Sequence, residues 1–314
     1  MKRKFSRRGF LTLGSVGTAG LCFASNNLGA RAVRELVAEA GRRILQPKAI
    51  PTPGRWHDNA ITAAWLGHST VLLNFYGITL LTDPALERRI GADTCLGTIG
   101  AKRLIAPALT PAQLPPIDLV LLSHAHMDHL DLATLRALPG SPRAVTAHDT
   151  ADLLRHTKLR QPRSLAWGQQ TRIRTRHGDI SIQAFEVKHW GARWKWDKYR
   201  GYNGYVIARE GKRIIFGGDT AWTGSFRNLR AQGPFELAMM PIGAYKPWVC
   251  SHCTPEQAVR MANDAGAAHF LPIHFKTFPL GRDGSVEPLQ RLEAALEPER
   301  LGWRDVGETF VTRA

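Results

Sequence analysis

Apolar positions along the chain fall into short runs bounded by Gly, Pro or Asp, not into long helical stripes, so strands dominate the expected pattern. Residues 61–66 and 70–75 read as two strands joined by Gly67-His68-Ser69. Tyr76-Gly77 then turns the chain into a third, at 78–82, that ends at Asp83-Pro84. A loop-rich stretch carrying Pro107, Pro111, Pro115 and Pro116 leads into a continuous Val/Leu/Ile-rich run at 117–123, which reads as a buried strand. Helical spacing at 130–138 stops at Pro139-Gly140. Further strands are predicted at 180–187, 212–216 and 267–273, and Thr254-Pro255-Glu256 starts a helix. Ahead of the strands, a helix is predicted from 31 to about 45, followed by a Pro-rich connection over 46–55. The chain of 314 residues is 44% hydrophobic, enough to bury one large core after residue 61 without a second domain.

The polar residues at the strand ends carry the chemistry. The run at 117–123 delivers His124-Ala125-His126-Met127-Asp128-His129, four metal-capable side chains on one loop. Imidazole nitrogen and carboxylate oxygen suit zinc and similar divalent ions, and no thiolate is present to select a softer metal. His124 and His126 point one way while Asp128 and His129 can point another, so two adjacent ions are the natural reading. Three more strand ends each supply one donor: His189 after 180–187, Asp219 after 212–216 and Gly217-Gly218, and His274 after 267–273. A sheet sandwich gathers such residues on one edge. Asp131 has two readings, a carboxylate at a helix N-terminus or a group orienting a ligand histidine.

The first residues change the charge picture. Lys2, Arg3 and Lys4, the pair Arg7-Arg8, and a glycine-diluted apolar run to about Ala24 predict a twin-arginine export signal over 1–32, with Ala30-Arg31-Ala32 as a cleavage candidate. The segment is short and rich in Gly and Thr for a transmembrane helix, and cleavage or an uncleaved anchor both stay open. The formal charge of +16 falls to +10 without this segment. The remaining basic clusters are Arg155, His156, Lys158, Arg160 and Arg163, and then Arg172, Arg174 and Arg176. They favour anionic partners or form a solvated face; charge alone does not choose. Of the four cysteines, one lies in the leader, too few for a disulfide framework. Cys250 and Cys253 form a lone C-x-x-C, open to a zinc knuckle, a redox pair or chance.

The H-x-H-x-D-H run with His189, Asp219 and His274 resembles the metallo-β-lactamase superfamily. Trp65-Leu66-Gly67-His68-Ser69-Thr70, Leu81-Thr82-Asp83-Pro84, Lys188-His189-Trp190, Gly218-Asp219-Thr220 and Pro241-Ile242-Gly243-Ala244-Tyr245 narrow it. They are similar to the branch containing N-acyl-phosphatidylethanolamine-hydrolysing phospholipase D. The resemblance runs from Trp65 to Phe278. It implies an α/β fold, a four-layer αβ/βα sandwich of two mixed sheets with helices outside, over residues 61–314. It further implies two divalent ions, Zn2+ by default with iron or manganese as alternatives. His124, His126 and His189 would hold one ion, Asp128, His129 and His274 the other, and Asp219 would bridge. A hydroxide held between the ions would attack phosphorus or a carbonyl carbon, with Asp128 and Asp219 as the catalytic carboxylates.

His252 matches a position near the substrate in that branch, where it contacts substrate or assists the leaving group; its rival role is structural, at a helix N-terminus. His68 is expected to support a ligand or the loop. Trp190, Trp194, Trp196, Trp222 and Trp248 are grouped around the mouth, where tryptophan suits an amphiphilic substrate. The expected function is an exported phosphodiesterase acting on N-acyl-phosphatidylethanolamine or a related phospholipid. It would work in the periplasm or another extracytoplasmic space, in contact with a membrane surface, after passing the twin-arginine machinery. Alternatives are a lactonase or other ester hydrolase, and a non-catalytic anion- or envelope-binding protein stabilised by metal. The export signal argues against a nucleic-acid substrate.

Overall fold

The structure, a computed structural model, describes Glu39, residues 41–94 and residues 97–312. The leader at 1–32 and most of the helix expected from 31 lie outside them. Residues 41–45 of that stretch form a turn and extended chain instead of helix, and Leu45 makes a parallel bridge to Ile105. The chain divides between Arg43 and Ile44, and the larger unit, Ile44–Ala314, carries both sheets.

Fifteen strands form among the described residues of this unit, in chain order β1 (Ile61–Gly67), β2 (Thr70–Phe75), β3 (Ile78–Thr82), β4 (Ala92–Thr94), β5 (Gly97–Ile99), β6 (Leu119–Leu122), β7 (Arg143–Ala147) and β8 (Arg160–Leu165). They continue as β9 (Gln170–Thr175), β10 (Gly178–Phe185), β11 (Gly204–Arg209), β12 (Lys212–Phe216), β13 (Phe235–Pro241), β14 (Ala267–Ile273) and β15 (Thr309–Val311). One sheet has the order β15-β1-β2-β3-β6-β7-β8, the other β14-β13-β12-β11-β10-β9, and β4-β5 is a separate hairpin. Both large sheets are mixed. In the first, β3, β6, β7 and β8 run parallel and the rest antiparallel. In the second, β12, β13 and β14 are parallel while β9 to β12 alternate.

Helices complete the layers. The short α1 (Leu132–Ala137) follows β6. Next come α2 (Ser225–Leu229), α3 (Pro255–Ala265) and α4 (Glu287–Ala295), with α3 packed on β13 and β14 and flanked by the other two. Thr254 caps α3 through a capping box with Gln257, and Gly266 in the left-handed region ends it. The result is an α/β sandwich of two mixed sheets with helices outside. Among the described residues, no helix is long and apolar enough to cross a membrane.

Burial explains the unbroken apolar runs. Every residue of β1, β2 and β6 is buried, so both faces of these strands are covered. Two hydroxyls caught inside are satisfied by backbone carbonyls: Thr82 Oγ1 donates to that of Ser69 at 2.8 Å and Thr70 Oγ1 to that of Asp83 at 2.8 Å. Trp65 is fully buried between the rings of Phe275 and Trp303, at centroid separations of 4.7 and 6.4 Å. Its indole N–H donates to the His68 carbonyl at 2.8 Å, which ties the β1–β2 turn to the core.

Candidate metal centre

Residues from both sheets meet at one edge, past the C-terminal ends of β6, β10, β12 and β14. Gly218 makes this approach possible. Its φ is +56°, and a Cβ there would sit 2.8 Å from Ser123 Cβ and 2.9 Å from the Asn203 carbonyl. Only a glycine lets the turn before Asp219 press against the start of the His124 loop. Tyr205 on β11 donates its hydroxyl to the Leu122 carbonyl at 2.9 Å, fastening the second sheet to the end of β6.

Two groups of donors form. In the first, His124 Nε2 lies 2.7 Å from His126 Nδ1, and His189 Nε2 lies 3.3 Å from the same atom. In the second, His129 Nε2 and His274 Nε2 are each 3.5 Å from Asp128 Oδ2. Asp219 Oδ2 stands between the groups, 3.1 Å from His129 Nε2, 3.0 Å from His274 Nε2 and 3.7 Å from His189 Nε2. Donors about 2.0–2.1 Å from a shared tetrahedral cation are roughly 3.3 Å apart, so these are the separations of a coordination sphere. The buried atoms His129 Nε2, Asp219 Oδ1 and both ring nitrogens of His274 make no hydrogen bond. Such atoms are costly without a partner, and a cation satisfies them. The residues present therefore fit divalent metal.

Further residues hold the donors in place. Asp83, at the end of β3, accepts from His129 Nδ1 at 2.7 Å, from the Ser123 backbone N–H at 2.7 Å and from Ser123 Oγ at 2.5 Å. Ser123 Oγ is also 2.8 Å from His124 Nδ1. The Ser251 carbonyl accepts from His189 Nδ1 at 2.9 Å, which turns Nε2 toward the first group. His68 Nε2 is 3.0 Å from Asp128 Oδ2, and the turn that carries it, with φ of 54°, is pinned by Thr277 Oγ1 at 2.7 Å. The sequence pattern assigns Asp83 no role, although its position just past an apolar strand is the same signal that marks Asp219 and His274. Asp131 caps α1, accepting from the backbone N–H groups of Ala133 and Thr134 at 3.3 Å each.

Electrostatics split the histidines. Burial holds His124 well below its ordinary pKa, and pushes His126 down to about 4 and His189 to about 3, so these rings are neutral ligands. Burial also lowers His68 to about 3 and His252 to about 4. For His274 and His129 burial is opposed by the charges of Asp219 and Asp128, which raise His274 to about 9 and hold His129 well above its usual value. Those two carboxylates stay ionised: burial would raise them, but the neighbouring imidazoles hold both well below the usual range.

His252 is not a capping residue. Its ring lies in the site, with Nδ1 3.8 Å from Asp219 Oδ2 and without a hydrogen bond, while Thr254 does the capping. A cavity of about 230 Å³ opens over the donors, walled by Trp190, Trp248, His252 and Leu280. It adjoins a wider one of about 570 Å³ between Trp190, Trp194, Lys195 and Lys198, and His126 lines both. Trp196 stacks on Trp194 at 5.5 Å and is 77% exposed. Trp222 departs from the expected group, packing against the core beneath the Arg260 guanidinium at 4.7 Å. Cys250 is exposed and Cys253 buried, both are free, and among the described residues no metal-capable group includes either.

A two-sheet sandwich with a His/Asp centre on one edge defines a class of metal-dependent hydrolases, and sequence comparison gives the family. The beta-lactamase superfamily domain model matches residues 81–275, and the chain belongs to that superfamily, with the metallo-β-lactamase fold. It is 34% identical over 286 residues to an uncharacterized protein of Mycobacterium tuberculosis, covering 86% of this chain and 74% of the relative. It is 28% identical over 255 residues to N-acyl-phosphatidylethanolamine-hydrolyzing phospholipase D 1 of Caenorhabditis elegans, covering 76% and 71%. Among solved structures it is similar to Igni18, a metallo hydrolase from Ignicoccus hospitalis. The TM-score there is 0.61 at 21% identity, over 82% of this chain and all of that one. The protein is a metal-dependent hydrolase of this superfamily.

Proposed function

We propose that the protein is a dinuclear phosphodiesterase that cleaves N-acyl-phosphatidylethanolamine or a related phospholipid outside the cytoplasm, after export by the twin-arginine route. The observation that carries the dinuclear reading is the place of Asp219, whose Oδ2 lies within 3.7 Å of ring nitrogens from both donor groups. His124, His126 and His189 would hold one ion, Asp128, His129 and His274 the other, with zinc at both or iron or manganese at the second. Ions bound there supply Lewis acidity and make water a nucleophile near neutral pH. The chain's own contribution is orientation. Asp83 and the Ser251 carbonyl fix the His129 and His189 rings, and His68 steadies Asp128. His252, neutral and lining the cavity, offers its ring to the substrate or to the leaving group as a hydrogen-bonding partner.

The phospholipid reading draws on the named Caenorhabditis relative and on the cavity walls. Trp190, Trp194 and Trp248 present apolar faces beside Lys195 and Lys198, a lining suited to an acyl chain under an anionic head group and to contact with a membrane surface. A phosphorylated lactone would call for a narrower, more polar pocket. The test is turnover of N-acyl-phosphatidylethanolamine in mixed micelles beside bis(p-nitrophenyl) phosphate, in the wild type and in Trp194→Ala/Trp196→Ala. Loss of lipid turnover with diester cleavage retained supports the reading; diester cleavage with no lipid turnover by the wild type rejects the lipid. Fusion of residues 1–40 to a reporter tests export, which should fail with Arg7→Lys/Arg8→Lys.

A further inference from the structure

Arg160 from the first basic cluster and Arg174 and Arg176 from the second come together in space with Arg143, away from the metal centre. Parallel strands β6, β7 and β8 all begin at the same end of their sheet, and the β9–β10 hairpin of the other sheet closes over that end. Between them is a cavity of about 380 Å³ whose charged lining is Arg143, Arg160, Arg174, Arg176 and Asp118. The metal ligands follow the opposite end of β6. From Asp118 to His124 is six residues, about 20 Å of extended chain at about 3.3 Å each. The cavity is therefore a separate site.

Two of its arginines, Arg143 and Arg160, lack a counterion among the described residues, and the other two have only long ion pairs. Arg143 and Arg160 are direct partners on the β7–β8 ladder, a placement in which like charges repel. Neither guanidinium has an ion pair or hydrogen bond among the described residues. Arg176 Nε is 3.8 Å from Asp118 Oδ1 and Arg174 Nε 3.6 Å from Asp179 Oδ1, ion pairs too long for hydrogen bonds, while Arg176 Nε donates to His177 Nε2 at 2.8 Å. Asp118 is itself engaged, accepting from the Thr79 N–H at 3.0 Å. Protection of an exposed sheet edge accounts for Pro162 and Arg163 on β8, but Arg143 lies on the inner strand β7 and protects no edge.

Four arginines against one carboxylate, in a cavity of ligand size with Pro116 and Pro142 as rigid walls, form a site for clustered oxyanions. The geometry points to a second binding site, distinct from the metal centre, that takes a ligand carrying two phosphate groups. Each guanidinium fork can meet a phosphate with two parallel hydrogen bonds, and two phosphates neutralise the set. A phosphorylated small molecule and a phospholipid head group share this chemistry.

The test is isothermal titration of the metal-loaded protein with fructose 1,6-bisphosphate as probe, in the wild type and in Arg143→Ser/Arg160→Ser. Affinity should fall at least tenfold in the variant with metal content unchanged, because a probe bound at the metal centre is indifferent to these arginines. Should that variant misfold, Arg174→Ser/Arg176→Ser on the exposed hairpin gives the same comparison. Sedimentation with vesicles containing phosphatidic acid separates the sources. Vesicle binding lost in the same variants identifies a head group, and bisphosphate binding without vesicle binding identifies a soluble ligand. Unchanged affinity for both probes in both variants overturns the proposal.

Discussion

Asp83 accepts the Nδ1 proton of His129 at 2.7 Å, and both side chains are wholly buried. Through that bond a residue at the end of β3 fixes which nitrogen of His129 faces the cations. Burial raises the Asp83 carboxyl, while His129 and Ser123 pull it back down. Asp83→Ala should therefore weaken metal retention by about 10- to 100-fold without removing a donor. Metal content after dialysis against a weak chelator checks this; wild-type retention would show that His129 needs no such support.

Proton linkage gives a second prediction, for the metal-free protein. His274, with its folded pKa near 9, and His129, well above its usual value, are protonated at neutral pH. Their stabilising contribution is full below the unfolded pKa of about 6.5 and is lost as pH rises through about 9 for His274. His68, His126, His189 and His252 have folded values of about 3 to 4, so the unfolded chain takes up more protons below about 6.5 and stability falls toward acid. Thermal melting of metal-free protein should thus show a maximum near neutral pH. Metal displaces the His129 and His274 protons, so its binding should release protons, measurable by calorimetry in buffers of different ionisation enthalpy.

The turn before Asp219 gives a third. Gly218→Ala would place a Cβ 2.8 Å from Ser123 Cβ in a backbone conformation that L residues rarely adopt. A loss of about 1–3 kcal/mol is expected, with a shift of Asp219 that lowers metal content. Denaturant unfolding and metal analysis of the variant measure both.

Cysteine reactivity gives a fourth. Cys253 is buried, bonded to the Pro241 carbonyl at 3.3 Å, and burial holds its thiol protonated; Cys250 is exposed. Native alkylation followed by peptide mapping should label Cys250 and leave Cys253 unmodified until the protein is unfolded. Equal labelling would mean that the segment between them opens freely.

Burial decides how much of the fold and the site is legible in the sequence. The strands that lead to His124, Asp219 and His274 are apolar and buried over their last residues, Leu119–Leu122, Ile214–Phe216 and Phe270–Ile273, and a donor just past each one stands out. Strands β8 and β9 escape the apolar pattern because they are exposed edge strands: β8 is buried only at Leu165, and β9 only at Ile173. Asp83 is visible as a residue but not as a partner, since its role depends on the meeting of β3 with the loop after β6. The proximity of Arg143 and Arg160 likewise exists only once β7 and β8 pair. Trp222 falls outside the expected group because a tryptophan near a site in sequence carries no sign of which way it faces.

The most direct measurement is the metal stoichiometry of the purified protein by plasma mass spectrometry, for the wild type and His126→Ala. Two divalent ions per chain in the wild type, with loss from the His124–His126–His189 group in the variant and hydrolysis of bis(p-nitrophenyl) phosphate lost alongside, is the predicted result. A wild type that retains no metal, or a variant that hydrolyses the diester undiminished, would contradict it.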